Sequence, residues 1–308
     1  MSAKKESVEI DGRHVRLSNL DKVLYARDGT TKHDVIQHYV AMSEALLPQL
    51  AGRPATRKRW PDGVEAAAGA FFEKNAPRGT PPWVRTVELD SPGSTRDRER
   101  VTYPVVDSLA TLVWLANLAA LELHVPQWRV GPRGATKEPD RLVIDLDPGA
   151  PAGLAECAEV AVLVRDRLAA DGLRTVPVTS GSKGLQLYAA ASGRQASSVV
   201  RDYVHDVAKE VEAAHPGLVV SRMAKQVRGG KVFIDWSQND AAKTTIAPYS
   251  LRGRSRPWVA TPRTWAELED PGALEQVLAA ELPDRLADLG DLAAPVAIDG
   301  PAGPRLPT

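Results

Sequence analysis

Short apolar stretches, alternating or continuous, indicate the strands of this chain. They predict strands in four segments: 8–18, 141–147 (RLVIDLD), 175–190 and 229–239 (GGKVFIDWSQN). In the first, Asp11-Gly12 separates two alternating runs and predicts a hairpin. The second is a buried strand that Pro148 ends, and the third reads as two strands joined by a tight glycine loop.

Longer segments with helical periodicity alternate with these strands. They predict helices after Thr31 and over 105–121, 153–171, 197–214 and 265–289. The spacing of Thr31 and Asp34 is typical of a helix N-terminal cap. Strands that alternate with helices but also pair through short loops favour an α+β fold of mixed β-sheets with flanking helices. We expect the segments 90–100 and 292–308 to be the most flexible.

Composition and charge restrict the class of protein. With 43% hydrophobic residues and a single cysteine among 308, the chain can bury a core but cannot form a disulfide framework. It has no apolar run long enough for a membrane span and no secretory signal, which predicts a cytoplasmic protein. The net charge is zero, but residues 263–308 contain 9 acidic and 3 basic residues. The remaining body is therefore mildly basic, which favours a polyanionic partner.

Three aspartates stand in apolar strands. Asp145 and Asp147 are two residues apart and share one face of their strand, and Asp235 follows a similar apolar run. Carboxylates that repel one another on a buried surface need a cation, and Mg²⁺ and Mn²⁺ prefer carboxylate oxygens. Three such groups on neighbouring strands could hold two metal ions. The competing interpretation is that these aspartates cap turns at strand ends.

The glycine loop and three basic clusters suggest what such metals would act on. Residues 180–184 (SGSKG) combine glycines with Lys183, which suits phosphate binding, although an ordinary hairpin turn is the commoner explanation. Basic residues concentrate in 53–60, 221–231 and 250–256, and two of these clusters flank Asp235 in the sequence. Such charges suit a triphosphate and a nucleic-acid backbone, although each cluster alone could be a solvated face.

Nine segments together resemble one family, the polymerase domain of bacterial ligase D, within the archaeo-eukaryotic primase superfamily. They are LSNLDKVLY, GTTKHD, GRPATRKRWPDGV, FFEK, HVPQW, LVIDLDPG, VTSGSKGL, KVFIDWSQN and KTTIAPYSLRGR. They occur in the family's order between about residues 15 and 265. The resemblance implies a primase-like catalytic core and one primase-polymerase domain over 1–308. This domain would have an N-terminal part (1–130) with the 5′-phosphate and template contacts, a catalytic core (131–262) and an acidic helical tail (263–308).

The resemblance also implies an activity and its partners. Such domains add nucleotides, preferably ribonucleotides, to 3′ ends and fill short gaps during non-homologous end joining, usually with Mn²⁺. Their partners would be DNA ends with a 5′-phosphate, nucleoside triphosphates, and Ku with an ATP-dependent DNA ligase, at the nucleoid. No ligase or nuclease motif is present in this sequence, so a stand-alone relative and an excised domain both remain open.

Carried onto this sequence residue by residue, the resemblance implies three sets of site residues. The metal ligands would be Asp145, Asp147 and Asp235. The triphosphate pocket would contain Lys58, His124, Ser180, Lys183, Gln238 and Arg252. The DNA contacts would be Asn19, Lys22 and Lys32 for the 5′-phosphate, Phe71 and Phe72 for the template, and Arg228 near the primer or nucleotide.

One position departs from the family pattern. The family usually has histidine two residues after the loop glycine, whereas this chain has Gln186. Glutamine can donate a hydrogen bond but cannot carry a charge, so triphosphate affinity or metal preference could differ. This departure supports an alternative function, a catalytically weak module that binds 5′-phosphorylated DNA ends and bridges them. A phosphohydrolase with an Asp-x-Asp nucleophile is a third hypothesis, disfavoured because Pro148-Gly149 follows the motif.

Overall fold

The computed structural model describes residues 5–90 and 100–307. The helices are α1 (Lys32–Ala41), α2 (Ser43–Leu50), α3 (Leu109–Asn117), α4 (Leu154–Ala169), α5 (Ser197–Ala214), α6 (Trp265–Leu268) and α7 (Leu282–Leu289). Short 3₁₀ turns occupy Lys225–Val227, Trp236–Asn239, Ala279–Glu281 and Ala294–Val296. Within the described ranges, no helix combines the length and apolar character required to cross a bilayer.

The strands follow one another in chain order as β1 (Lys5–Ile10), β2 (Arg13–Ser18), β3 (Val23–Tyr25), β4 (Thr30–Thr31), β5 (Thr56–Arg59), β6 (Phe71–Glu73), β7 (Thr86–Asp90), β8 (Arg100–Pro104), β9 (Ala120–Val125), β10 (Arg141–Pro148), β11 (Thr175–Thr179), β12 (Leu185–Ala190), β13 (Val219–Val220), β14 (Val232–Asp235), β15 (Thr245–Ile246), β16 (Trp258–Val259), β17 (Thr261–Pro262) and β18 (Val277–Leu278). The predicted hairpin is confirmed: β1 and β2 pair antiparallel, with Asp11 at φ 52° and Gly12 at φ 69°.

Two sheets form the centre of the molecule. A six-stranded sheet has the order β13-β14-β10-β12-β11-β17, and a four-stranded sheet has the order β15-β9-β5-β6. Strands β13 and β14 are parallel, whereas the other pairs in the larger sheet are antiparallel. The predicted α+β fold with mixed sheets and flanking helices is therefore confirmed.

Strand β10 separates two hydrophobic cores because its side chains alternate between its two faces. Leu142, Ile144 and Leu146 pack with the apolar faces of α4 and α5. Val143 belongs to the other core, together with residues of β9 in the four-stranded sheet. One face of the six-stranded sheet is thus covered by helices and the other packs towards the smaller sheet. The polar residues of β10 at 141, 145 and 147 share the face of Val143.

The helix predicted over 105–121 is too long. Helix α3 starts after Ser108, whose side chain accepts a hydrogen bond from the Thr111 backbone, and it ends at Asn117. Ala119 has a φ of 57°, and the chain then turns into β9. The apolar run continued because a buried strand follows the helix directly, and hydropathy alone does not distinguish the two.

The C-terminal segment also differs from the expectation. The predicted helix over 265–289 is interrupted, since β18 lies between α6 and α7. The segment from residue 292 was predicted to be flexible, but Leu306 is buried and exchanges two backbone hydrogen bonds with the Gln195 side chain. Residues 91–99, within the other segment predicted to be flexible, lie outside the described residues. The capped helix start at Thr31 is confirmed by reciprocal hydrogen bonds with Asp34.

Candidate active site

Three aspartates meet where β10 and β14 run side by side. Asp145 and Asp147 project from one face of β10. Asp145 lies opposite Asp235, the last residue of β14, in the antiparallel register. One carboxylate oxygen from each residue lies within 4.8 Å of the other two. The structure therefore brings together the three residues that the sequence identified as a cluster.

The electrostatics of this cluster indicate a need for positive charge. Burial raises the pKa of Asp145 to about 8, assisted by the negative charges of Asp147 and Asp235. Burial and Asp235 also raise the pKa of Asp147, against the opposing charges of Arg228 and Arg252. A divalent cation would neutralise the cluster, and carboxylate oxygens are the donors that Mg²⁺ and Mn²⁺ prefer. The donor set thus fits such ions, and the three aspartates are the residues that could hold them.

The 3₁₀ turn after β14 orients the third aspartate. Asp235 Oδ1 accepts hydrogen bonds from the Ser237 backbone at 3.1 Å and from its hydroxyl at 2.6 Å. Gln238 Nε2 donates to Asp235 Oδ2 at 2.7 Å. Gln238, which the resemblance assigned to the triphosphate pocket, therefore lies against an aspartate of the cluster.

The glycine loop between β11 and β12 packs too closely to tolerate side chains at two positions. A Cβ on Gly181, which has a φ of +65°, would lie 2.5 Å from Arg252 Cγ. A Cβ on Gly184 would lie 2.1 Å from the Leu146 carbonyl oxygen, between the two aspartates of β10 in sequence. The glycines therefore allow this loop to sit against both the aspartate strand and Arg252.

The polar groups of this loop differ in exposure. Ser180 is buried and its backbone N–H donates to the Gly184 carbonyl at 3.0 Å, which closes the loop, whereas Lys183 is exposed. The Gly181 N–H donates to Gln276 Oε1 at 2.7 Å. Gln276 comes from the acidic tail, and the sequence interpretation missed it because the two segments are far apart in the chain.

A second buried carboxylate, Glu122, gathers the basic residues of the pocket. Glu122 is 2% exposed and its Oε2 lies 2.8 Å from His124 Nε2 and 3.7 Å from an Arg252 nitrogen. Its Oε1 accepts a hydrogen bond from the Gly253 backbone at 3.0 Å. Burial alone would raise the pKa of Glu122, but the His124 hydrogen bond and the charges of Arg252, His124 and Lys58 lower it to about 2.

Sequence reasoning missed Glu122. What could have identified it in the sequence is its position as a glutamate within the apolar strand ALELHV, two residues before His124. A buried acid in such a strand is expected to have a cationic partner, but nothing in the sequence identifies Arg252 as that partner. Burial also lowers the pKa of His124, against the hydrogen bond and charge of Glu122.

The neighbouring strands carry the remaining pocket residue and the two phenylalanines. Lys58 pairs across the sheet with both Glu122 and Phe72, and its ammonium lies 4.9 Å from the centre of the Trp60 ring. Phe71 and Phe72 are 46% and 54% exposed, so neither is a core residue. An exposed aromatic pair beside basic residues is a surface on which bases can stack.

Asn19, Lys22 and Lys32 meet at the start of α1. The Lys22 N–H donates to the Asn19 carbonyl at 3.1 Å, and the Lys32 N–H donates to the Lys22 carbonyl at 2.8 Å. Lys22 Nζ pairs with Asp62 at 2.7 Å, and Lys32 Nζ donates to the Ser18 carbonyl at 2.9 Å. Lys32 is buried, and its pKa is lowered by burial and then by the charge of Lys22 and that of a nearby arginine. The partly exposed Lys22 thus lies next to the N-terminus of α1, with the positive charge of the buried Lys32 close by, an arrangement that suits an anion.

Arg228 lies beside the aspartates. Its guanidinium stacks 3.6 Å from the centre of the Phe233 ring, and Nη2 donates to the Met223 carbonyl at 2.6 Å. Phe233 is the register partner of Asp147, and the charge of Arg228 opposes the rise in the pKa of that aspartate. The structure therefore brings Arg228 to the edge of the acidic cluster.

Gln186 also faces the cluster. It is the register partner of Asp145 on β12, and its side chain opposes the rise that burial causes in the pKa of that aspartate. It is 4% exposed. The position that departs from the family pattern is therefore in direct contact with a candidate metal ligand, rather than at a distance from it.

The chain is similar to known proteins over nearly its whole length. A family model described as the LigD primase-polymerase domain matches residues 31–293. The multifunctional non-homologous end joining DNA repair protein LigD of Mycobacterium tuberculosis is 50% identical over 304 residues. That alignment covers 96% of this chain but 38% of the relative. The bifunctional non-homologous end joining protein LigD of Bacillus subtilis is 32% identical over 256 residues, 83% of this chain and 39% of the relative.

A solved structure has the same fold. The polymerase domain of ligase D from Mycobacterium tuberculosis, in complex with DNA, superposes with a TM-score of 0.87 at 49% sequence identity. The match covers 93% of this chain and 99% of that chain. This chain spans well under half the length of the curated relatives named above. It belongs to the LigD primase-polymerase domain family, an enzyme family of nucleotidyltransferases.

Proposed function

We propose that this domain is a DNA-directed nucleotidyltransferase that adds nucleotides, preferably ribonucleotides, to 3′ ends and fills short gaps during non-homologous end joining. The observation that carries the proposal is the meeting of Asp145, Asp147 and Asp235 within 4.8 Å, next to a pocket of basic residues. The names of the relatives support the pathway, and the DNA in the similar solved structure supports the substrate.

The acidic cluster would hold two divalent cations, Mn²⁺ or Mg²⁺. Two such ions, when bound between three carboxylates, supply activation of the primer 3′-hydroxyl and stabilisation of the leaving pyrophosphate. The protein's own contribution is to keep the ligands in place. Gln238 and Ser237 hold both oxygens of Asp235, and Gln186 holds Asp145.

The basic pocket would bind the incoming triphosphate. Its members would be Lys58, His124, Ser180, Lys183, Gln238 and Arg252. Glu122 supports this assignment because it lies behind His124 and Arg252 and limits their orientations. A carboxylate in that position orients both side chains towards a ligand and offsets the positive charge of Arg252 while the pocket is empty.

The DNA would lie along the surface from the acidic cluster to α1. Asn19, Lys22 and Lys32 would bind the 5′-phosphate of the downstream strand. Phe71 and Phe72 would stack on the template where it leaves the gap, since both rings are exposed. Arg228 would contact the primer or nucleotide beside Asp147. These contacts divide the domain functionally into an N-terminal DNA-contact part (1–130), a catalytic core (131–262) and a tail (263–308).

The partners of the domain would follow from this role. It would act at broken DNA ends in the bacterial nucleoid, with Ku to hold the ends and an ATP-dependent DNA ligase to seal them. The similar solved structure is a domain of a protein named ligase D, which supports a linked ligase.

Primer extension tests the catalytic proposal. The substrate is a gapped duplex with a 5′-phosphate, supplied with ribo- or deoxyribonucleotides and with Mn²⁺ or Mg²⁺. We expect extension by the wild type, with ribonucleotides preferred, and none by Asp145→Ala/Asp147→Ala, while DNA binding persists. Asp206→Ala, on the exposed face of α5, is the matched control and should extend normally.

Two outcomes would contradict the proposal. Normal extension by the double variant would exclude catalysis by this cluster. Phosphate-dependent DNA binding by the wild type without any nucleotide addition would instead favour the end-binding module.

A gel-shift comparison tests the phosphate site. We expect Lys22→Ala to lower the preference for a 5′-phosphorylated gap over an unphosphorylated one by about tenfold, because a charge-assisted contact is lost. Lys209→Ala removes an exposed lysine from α5 and should leave the preference unchanged. An unchanged preference in Lys22→Ala would place the 5′-phosphate elsewhere.

A further inference from the structure

A line of buried polar side chains crosses the interface between the two sheets and ends on Asp145. We call it the polar seam, and its members are Arg141, Gln127, Thr245, Tyr188 and Gln186. Each of them is at most 4% exposed. A buried polar network can fix one arrangement of its members, and within this seam Arg141 Nη2 is the side-chain nitrogen that lacks a hydrogen-bond partner.

The seam is continuous in its hydrogen bonds. Arg141 Nε donates to Gln127 Oε1 at 2.7 Å, and Gln127 Nε2 donates to Thr245 Oγ1 at 2.7 Å. The Tyr188 hydroxyl lies 3.3 Å from Thr245 Oγ1 and 3.0 Å from Gln186 Oε1. Thr245 is in the four-stranded sheet, whereas Arg141, Tyr188 and Gln186 are in the six-stranded sheet.

The last contact has a fixed direction. When a cation is bound, Asp145 is ionised and can only accept, so the amide nitrogen of its cross-strand partner Gln186 must then face it. The amide oxygen then faces the Tyr188 hydroxyl, whose single proton is shared between this oxygen at 3.0 Å and the Ile246 carbonyl at 2.8 Å. The Gln186 amide therefore lies between Asp145 and Tyr188, and rotation of its side chain would move it away from at least one of them.

The other end of the seam is anchored by a buried cation. Arg141 has no exposed surface, and none of the salt bridges among residues 5–90 and 100–307 includes it. Its guanidinium lies 5.1 Å from the centre of the Tyr188 ring and also donates to Gln49 Oε1 at 3.1 Å. A buried arginine held by neutral groups is an unfavourable way to gain stability. Its position, four residues before Asp145 on the same face of β10, points to a role in placing the seam.

The seam also connects the two halves of the site. Thr245 pairs with Val125 and its neighbour Ile246 pairs with His124, a residue of the basic pocket. The Tyr188 hydroxyl lies 2.8 Å from the Ile246 carbonyl. The tyrosine thus contacts both the strand beside His124 and the glutamine that holds Asp145.

We propose that Gln186 and Tyr188 are positioning residues that hold Asp145 for cation binding and fix it relative to the basic pocket. This inference rests on the proposed metal site. From the sequence, Gln186 was expected to weaken the site. In this chain, Gln186 is instead the last member of the polar seam, next to Asp145.

Binding of Mn²⁺, measured by electron paramagnetic resonance of the free ion with the whole chain and no nucleotide, tests the inference. We expect Gln186→Met to lower Mn²⁺ affinity by about tenfold or more, because removal of a group that orients a ligand has that effect. Tyr188→Phe keeps the ring over Arg141 and removes one hydroxyl, so a loss of about threefold to tenfold is expected. Unfolding midpoints are measured for each variant.

Two further variants separate positioning from general damage. Tyr39→Phe removes another fully buried hydroxyl, which donates to the Leu121 carbonyl outside the seam, and should leave Mn²⁺ affinity unchanged. Gln186→His restores the family residue. A neutral imidazole has one donor and one acceptor, so this variant should keep affinity within about threefold of the wild type.

The outcomes distinguish the inference from the proposed function. Wild-type affinity in both Gln186→Met and Tyr188→Phe would overturn the inference and leave the metal site intact. So would an equal loss in Tyr39→Phe and Tyr188→Phe, or a loss in Gln186→His as large as in Gln186→Met. Absence of Mn²⁺ binding by the wild type itself would instead contradict the proposed metal site.

Discussion

Two carboxylates on neighbouring sheets have opposite electrostatic surroundings. Asp145 is half-buried among other acids, and its pKa rises to about 8, chiefly through burial. Glu122 is more deeply buried, yet hydrogen bonding and nearby cations lower its pKa to about 2. Burial acts in the same direction on both, so the neighbours decide the sign. The first carboxylate is arranged to receive a cation, whereas the second already has its cations and presents them to an anion.

Asp145 and Glu122 also differ in solvent access, and this difference separates a candidate metal ligand from a residue that supports the basic pocket. The acidic cluster is partly open to solvent, as a site that exchanges metal and substrate must be. Glu122 is closed off behind His124 and Arg252. We therefore expect changes at Asp145 to act on cation binding and changes at Glu122 to act on stability and on triphosphate binding.

The largest expected effect on stability comes from Glu122→Gln. The substitution leaves Arg252, His124 and Lys58 without their buried counter-charge, which should destabilise the fold by about 3 kcal/mol. We also expect KM for the nucleotide to rise about tenfold, with a smaller change in kcat, since the pocket cations lose their orientation.

A surface ion pair provides the control. Glu88 and Arg100 are both more than half exposed and lie 3.4 Å apart, so Glu88→Gln should alter stability by less than about 1 kcal/mol. If denaturant titration gave Glu122→Gln the same small effect as Glu88→Gln, Glu122 would not be the organising charge of the pocket.

The pH dependence of stability in the metal-free protein is the next effect in size. The folded-state pKa of Asp145, about 8, exceeds its ordinary value of 3.8. Its favourable contribution is therefore complete below the lower value and is lost as pH rises through the higher one. Glu122, with a pKa lowered to about 2 from 4.5, contributes fully above 4.5 and loses that contribution only as pH falls.

Between pH 5 and 8, only the first of these carboxylates changes its contribution. The Tm of metal-free protein should therefore fall across this range by a few degrees, and Mn²⁺ should restore it most at the alkaline end. Asp145→Asn should flatten the profile. A profile in the variant as steep as in the wild type would assign the pH dependence to other groups.

The smallest expected effect concerns Lys58→Met. Lys58 is half-buried, and its charge lowers the pKa of Glu122 less than the charges of Arg252 and His124 do. It also contacts the Trp60 ring. We expect a stability change below about 1 kcal/mol and a rise in KM of about threefold. Steady-state kinetics beside Glu122→Gln would check this, and an effect equal to that of Glu122→Gln would make Lys58 the principal partner.

Local sequence patterns predicted the acidic cluster well. Strand alternation fixes Asp145 and Asp147 on one face, and a matching apolar run fixes Asp235 at the end of its own strand. The glycine loop was equally visible because two strands and their turn are continuous in the chain. Such features depend on neighbours in the sequence, and the structure agrees with them.

Features that depend on packing between distant segments were not visible. Glu122 meets Arg252 only because β9 packs near the segment after β15, and Gln186 meets Tyr188 and Thr245 only across the sheet interface. The prediction of one helix over 105–121 was wrong for a related reason. Burial makes both α3 and β9 apolar, so the hydropathy of this segment does not show that the chain reverses at Ala119.

The most direct test of the central claim is a crystal structure with Mn²⁺ and a non-hydrolysable ribonucleoside triphosphate, with the ions located by their anomalous scattering. We expect Mn²⁺ peaks among Asp145, Asp147 and Asp235, and the triphosphate against Lys183 and Arg252 with Glu122 behind them. Peaks elsewhere with the aspartates empty, or a triphosphate remote from Arg252, would contradict the account.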